Sequence, residues 1–349
     1  MKGEIMETGD LSLLVVGAGA VGGITAALLK KKGFNVEIAC KYDDYASMIS
    51  GNGLEVKGAA GDFKISMTAY SSVNQIKEQK DIILLATKAT DMVEAARSIL
   101  PILKENGHIV SLQNGLCEND LASVVGNERV VGCVVGWGAT MEAQGKLFMS
   151  STGDFILGYT DRKADEFLES LAAIMSAVVP ARTTDNIMGH LYSKLIINSC
   201  ITSLGAICGL FLGRMLSKKK IRAIFIDIAK EAIAVADAMK IEVEVIGGKL
   251  DFYKFLDGNG PFSDFKRHMF IRIIGFKYRK LKSSSLQSLE RGKPTEIDYL
   301  NGYIVRNGLS AGVMTPVNTI IINMIHEIEK GTRKISERNF DDPIFDRFN

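Results

Sequence analysis

Apolar positions follow two rhythms along this chain. In the first half they come as short unbroken runs closed by turn-forming residues. Leu13-Leu14-Val15-Val16 is such a run, and a buried strand is expected there. Further strands are expected over Asn35–Cys40, Asp81–Thr87, His108–Leu112 and Val130–Val135, with helices over Ile24–Lys31, Met92–Leu103 and Lys163–Val178. Leu54–Lys57 and Phe63–Ser66 alternate polar and apolar residues around Gly-Ala-Ala-Gly-Asp, which predicts a hairpin. Gly145–Gly158 is expected to give two short antiparallel strands at the sheet edge, and Pro180–Asp185 a connection. Strands alternating with helices predict a mostly parallel, doubly wound α/β sheet. From Asn186 onward the spacing is helical almost throughout, so the boundary is placed near Asp185: a lead over 1–10, an α/β domain over 11–185 and an all-α domain over 186–349.

The chemistry of the first domain starts at the end of its first strand. Gly17-Ala18-Gly19-Ala20-Val21-Gly22 is a G-x-G-x-x-G turn with a strand before it and a helix after it. In that setting the three glycines serve a tight turn, the approach of a pyrophosphate and close helix–strand packing. Dinucleotide phosphates would then meet the helix N-terminus. About 20 residues further on, where an acid would bind the ribose of NAD, the second strand ends in Cys40-Lys41. Lys41 could neutralise a 2′-phosphate, so NADP is favoured over NAD, although Asp43 and Asp44 follow closely. Lys88 and Asn114 fall just past strand ends, where open α/β sheets bind ligands. Asn114-Gly115 also reads as an ordinary turn pair.

Composition narrows the classes. The chain has 349 residues, 47% of them apolar, and a net charge of +2, which argues against a general nucleic-acid or membrane-surface role. Five cysteines without a C-x-x-C pair fit a reduced, cytoplasmic protein, and four scattered histidines suggest no metal site. Leu195–Gly213 is uncharged but carries Asn198, Ser199, Thr202 and Ser203; it reads as a buried helix or helix pair.

In the second domain Lys194, Asn198 and Thr202 are spaced i, i+4, i+8, which puts an ammonium, an amide and a hydroxyl on one helix face among Leu195, Ile196, Ile197 and Ile201. Desolvation there would lower the lysine pKa toward that of a proton donor near neutrality. A snorkelling surface lysine is the equal alternative. Further on, Ser283 to Glu290 leads to Thr295-Glu296-Ile297-Asp298, where Thr295 reads as a helix cap and Glu296 as a first-turn carboxylate. That helix is expected to end at Asn307-Gly308.

These features together resemble the ketopantoate reductase family. The resemblance rests on Gly17 to Gly22, Thr87-Lys88-Ala89, Asn114-Gly115, Ser193-Lys194-Leu195 with Asn198, Ser284 and its neighbours, Thr295 to Gly302, and Thr315-Pro316-Val317-Asn318-Thr319, in order over roughly residues 11 to 330. It implies a Rossmann-type NADP-binding domain, a helical substrate domain, and a site in the cleft between them. It implies hydride transfer from NADPH to the C2 carbonyl of 2-dehydropantoate, giving (R)-pantoate for pantothenate synthesis. By the resemblance Lys194 is the general acid and Glu296 engages it and the substrate. Asn114 and Lys88 would hold cofactor and substrate, while Asn198 and Ser284, with Thr202 on the same helix, would contact the substrate. The cofactor set implied is Gly17, Ala18, Gly19, Ala20, Val21, Gly22, Lys41, Lys88, Asn114 and Glu296. The partners expected are a small 2-oxo acid and, through the helical domain, a second copy of the chain; nucleic acid and membrane are not expected. Three departures stand out. Thr202-Ser203 replaces a frequent Asn-Pro, Lys41 replaces a frequent arginine, and 241–281 is long and aromatic. They leave open a related reductase of another 2-oxo acid, or a nucleotide-binding protein without catalysis.

Overall fold

A computed structural model describes residues 11–348; the lead expected over 1–10 lies outside them. The chain divides into two compact units between Ile187 and Met188.

The first unit is built on an eight-stranded sheet. Its first strands are β1 (Leu13–Val16) and β2 (Val36–Ala39), joined by helix α1 (Ala20–Lys31). After α2 (Asp43–Asn52) come β3 (Leu54–Gly58), β4 (Phe63–Ile65) and β5 (Ala69–Tyr70). Then follow β6 (Lys80–Leu85), α3 (Met92–Ile99), β7 (Leu103–Ser111), α4 (Glu118–Val125) and β8 (Val130–Val135). The unit closes with β9 (Gly138–Ala143), β10 (Lys146–Ser151), β11 (Phe155–Gly158), α5 (Glu166–Met175) and β12 (Ala181–Thr183). The main sheet runs β12-β11-β8-β7-β6-β1-β2-β5. It is parallel from β8 to β5, with β11 antiparallel to β8. This is the doubly wound α/β arrangement expected. Strands β1 and β8 are buried at every position, which explains their unbroken apolar runs.

Several boundaries differ from expectation, each for a physical reason. Helix α1 opens at Ala20, not Ile24, because the glycine loop itself forms its first turn. The helix expected to Leu103 ends at Ile99: Pro101 tightens the chain into a 3₁₀ turn, and Leu103 already opens β7. The Gly145–Gly158 strands are not a pair at one edge. Strand β10 joins a second sheet, ordered β4-β3-β10-β9, in which it is parallel to β3 and antiparallel to β9. Only β11 enters the main sheet. The burial patterns explain the split: β10 alternates buried and exposed positions, as a sheet with one wet face does, whereas β11 is buried throughout. The hairpin expected from Leu54 to Ser66 is present as antiparallel β3 and β4. Pro180–Asp185 is not merely a connection, since β12 pairs parallel with β11 at the sheet edge, where a leading proline costs no ladder donor.

The second unit is helical. Its elements are α6 (Ile187–Cys208), α7 (Leu212–Ser217), α8 (Lys219–Ala238), α9 (Phe252–Leu256) and α10 (Pro261–Lys277). They continue with α11 (Ser284–Glu290), α12 (Asn301–Ala311) and α13 (Pro316–Glu329). Helix α6 is long and apolar enough to cross a membrane, but 78% of that apolar window is buried inside the protein, as a core helix is. Tyr192 on α6 donates its hydroxyl to the Ala232 carbonyl of α8 at 2.9 Å, and its ring meets Tyr303 of α12 edge to face. Helix α12 does not end at Asn307-Gly308. Gly308 is an interior position where a Cβ would lie 2.9 Å from the Val313 carbonyl and 2.9 Å from the Thr315 methyl. The left-handed stop is Gly312, φ +71°.

Candidate active site

In the first unit the candidate residues gather at the carboxyl ends of three adjacent strands, β1, β6 and β7. Gly17 has φ +108°, and a Cβ there would lie 2.6 Å from the Ala86 carbonyl, so only glycine makes this turn beside β6. At Gly22 a Cβ would stand 2.0 Å from the Gly17 carbonyl and 2.8 Å from the Ala86 methyl; this glycine lets α1 close on the sheet. Gly19 is different. A Cβ there would meet nothing within 4 Å, so the space beside it is open. The N-terminus of α1 carries no side-chain cap and no acidic residue in its first turn. An open glycine beside an uncapped helix start fits a dinucleotide pyrophosphate. The loop, Ala18, Ala20 and Val21 included, is anchored from behind: Tyr45 donates its hydroxyl to the Ala18 carbonyl at 2.8 Å and accepts from the Gly145 amide. Burial raises the Tyr45 pKa, which keeps that donor proton in place.

Lys41 is exposed, past the end of β2. Asp43 and Asp44 occupy the first turn of α2, where the helix dipole favours carboxylates, so their position has a local cause. Half-buried Lys88 precedes a short 3₁₀ turn after β6. Half-buried Asn114 precedes Gly115, whose φ is +94°. Between the Lys88 and Asn114 loops lies Gln113, which the sequence did not single out. It is buried, accepts from the Ser111 hydroxyl at 2.8 Å and donates to the Thr87 hydroxyl at 3.4 Å, tying the β7 exit to the β6 exit.

In the second unit Lys194 and Asn198 are half-buried and Thr202 is buried along one face of α6. The Thr202 hydroxyl donates to the Asn198 carbonyl at 2.7 Å, so its proton is engaged within the helix. Ser284 is exposed at the start of α11. Its neighbour Ser283 is the buried helix cap, donating to the Thr202 carbonyl at 3.3 Å and accepting from the Leu286 amide. Thr202→Val should therefore change KM for the oxo acid little while costing about 1 kcal/mol of stability; steady-state kinetics with thermal melting checks both.

Glu296 does not stand in the first turn of the α-helix. It caps a 3₁₀ turn, Ile297–Tyr299, and α12 starts only at Asn301. That turn is pinned on both sides. Before it, the Thr295 amide and hydroxyl both donate to one Glu329 carboxylate oxygen of α13, at 2.7 and 2.8 Å. After it, the buried Asn301 amide donates to the Ser199 carbonyl of α6 at 3.2 Å and to Asn318 Oδ1 at 2.9 Å. Asn318 in turn donates to the Glu231 carboxylate of α8 at 2.7 Å, which also accepts the Val317 and Asn318 amides at the start of α13. Burial pushes the Glu231 carboxyl up, and these three donors pull it back. The network fixes the Glu296 turn against the middle of the helix that carries Lys194. Asn301 and Asn318 lie in the stretches that carried the family resemblance, but a sequence does not show whom a buried amide meets.

Comparisons with known proteins identify the family. Two family models match: "Ketopantoate reductase PanE/ApbA" over residues 13–162 and its C-terminal counterpart over 186–329. The chain is 27% identical to a 2-dehydropantoate 2-reductase of Pyrococcus abyssi (strain GE5 / Orsay), covering 90% of this chain and 97% of the relative. It is 26% identical to that of Aquifex aeolicus (strain VF5), covering 90% and 96%. Among solved structures, a PanE/ApbA family ketopantoate reductase from Ralstonia eutropha JMP134 superposes with a TM-score of 0.78 at 29% identity, over 92% of this chain and 99% of that one. A D-mandelate dehydrogenase with NADH and anilino(oxo)acetate superposes at 0.79 and 22% identity, over 92% and 99%, a likeness of fold alone. The chain belongs to the ketopantoate reductase family, nucleotide-dependent oxidoreductases acting on CH–OH groups.

Proposed function

We propose that the protein is an NADPH-dependent 2-dehydropantoate 2-reductase acting in pantothenate synthesis in the cytoplasm. The observation that carries this reading is the pinned Glu296 turn against the Lys194 helix: a carboxylate and an ammonium held on fixed backbone, with Asn198 one turn along. Bound NADPH supplies the hydride that adds to the C2 carbonyl. As the carbonyl carbon gains hydride, negative charge grows on its oxygen. The Lys194 ammonium stabilises that charge and then gives its proton to the oxygen. Glu296 orients the ammonium and engages the substrate. Asn198 and Ser284 are assigned to the substrate's hydroxyl and carboxylate, Thr202 only supports the helix beside Asn198, and Asn114 and Lys88 are assigned to the nicotinamide end and the substrate. The glycine loop from Gly17 to Gly22 takes the pyrophosphate, and Lys41 the 2′-phosphate.

The test is loss of the reduced nicotinamide's near-ultraviolet absorbance with 2-dehydropantoate supplied. Fast turnover with strong preference over other 2-oxo acids is expected; preference for another acid would reassign the substrate. The cofactor assignment has its own test. NADPH should bind more tightly than NADH, and Lys41→Ala should narrow the gap by about five- to tenfold, the value of one exposed ion pair to a phosphate at the upper end of its range. Equal affinities in the unaltered protein would remove Lys41 from the assignment.

A further inference from the structure

The net charge of +2 conceals a local imbalance on helix α10. Phe262, Phe265, Met269, Ile273 and Phe276 are 69, 60, 39, 60 and 70% exposed. At 100° per residue they fall within about 80° of the helix circumference, one continuous apolar stripe facing outward. The opposite side, Arg267, Ile271 and Gly275, packs inward. Scattered exposed apolar residues need no explanation, but an aligned row of three phenylalanines, a methionine and an isoleucine does.

What flanks the stripe is cationic. Lys266 lies over the Phe262 ring at 4.3 Å, Arg279 over Phe276 at 5.0 Å, and Lys282 over half-exposed Phe211 at 5.5 Å. Helices α7 and α10 approach closely at Gly213 and Gly275, where a Cβ would strike Arg279 at 2.5 Å and Leu216 at 2.7 Å. That approach gathers Arg214, Arg272, Arg279 and Lys280 around one cleft with Ser217 and Phe276. None of these four cations makes an ion pair with a carboxylate among the described residues. The helix's own acid, Asp264, lies on its far side and is held by Arg267 at 2.6 Å.

We propose that this face of the helical unit docks on a membrane surface carrying anionic phospholipid, the stripe entering the headgroup boundary and the Arg214–Arg272–Arg279–Lys280 cleft taking lipid phosphate. Charge selects this occupant. A second copy laid on the same stripe would set Lys266, Arg272 and Lys277 of one helix against the same three cations of the other, the helix's own acid, Asp264, lying on the far side. An anionic bilayer supplies the opposite charge, and an exposed row of apolar side chains flanked by snorkelling cations matches the form of interfacial helices.

Vesicle flotation of the full chain tests this. Floating with phosphatidylcholine–phosphatidylglycerol vesicles at low salt, not with phosphatidylcholine alone, and release at high salt are expected. Phe262→Ser with Phe265→Ser should weaken partition by at least about tenfold, and Arg272→Ala with Lys280→Ala by about 25-fold, near fivefold per charge. Both pairs are exposed, and melting temperatures matching the unaltered protein confirm that they fold. Equal behaviour on the two vesicle types, or variants that float undiminished, would overturn the proposal. So would a stable dimer in solution that the phenylalanine variant dissociates while vesicles capture neither, since the stripe would then belong to a second copy of the chain.

Discussion

Lys194→Ala is expected to lower kcat by about 10²- to 10⁴-fold, the range for removing a positioned general acid. The loss should appear in kcat and kcat/KM together, because the proton moves only as charge develops on the oxygen. NADPH affinity, read by fluorescence titration of the enzyme without oxo acid, should be unchanged. Lys194→Arg should not restore the rate. A guanidinium keeps the positive charge but holds its proton too tightly to release it near neutral pH. An unchanged kcat in Lys194→Ala would remove the lysine from the proton path. A restored kcat in Lys194→Arg would limit its part to electrostatic stabilisation.

The second large effect concerns two glycines that look equivalent in the motif. Gly22→Ala places a methyl 2.0 Å from the Gly17 carbonyl, with backbone on one side and the Ala86 methyl on the other, so neither neighbour can yield cheaply. A cost of about 3 kcal/mol is expected, which in a unit of this size lowers the melting temperature by roughly 6–12 °C. Gly19→Ala meets no atom within 4 Å and should leave the melting temperature nearly unchanged. Its methyl instead projects toward the space assigned to the pyrophosphate, so NADPH affinity should fall by more than about tenfold. Calorimetry of melting beside NADPH titration separates the two. A Gly19→Ala variant with normal NADPH affinity would count against pyrophosphate binding at this loop.

The doubly wound sheet was legible where its strands are buried on both faces, as β1 and β8 are, and therefore spell unbroken apolar runs. Val130–Val135 was delimited to the residue on that basis. The small second sheet was less legible. Strand β9, with half-buried or exposed positions throughout, has no apolar run to notice. Its partner β10 pairs with β3, about 90 residues earlier, and local sequence carries no mark of such a pairing. The site divided in the same way. The side chains proposed for the chemistry stand in recognisable spacings, as Lys194 and Asn198 do. The groups that tie the surrounding elements together — Gln113, Asn301, Asn318 and Glu231 — are polar residues whose purpose lies in partners brought from other elements. The apolar stripe on α10 was visible as an unusual aromatic segment, but only the fold shows which rings face outward.

The support behind the glycine loop also sets an order of events during synthesis. Tyr45 reaches the Gly145 amide, and the Leu147 side chain packs where a Cβ on Gly23 would stand, at 2.6 Å. Along the chain the loop precedes this backing by more than a hundred residues, so it is made well before its support. Strand β1 likewise waits for β6 before it has a neighbour on each side. Loop closures of this length are slow relative to local helix formation. The nascent chain therefore carries an unbacked glycine loop until β10 has been made and the second sheet can assemble.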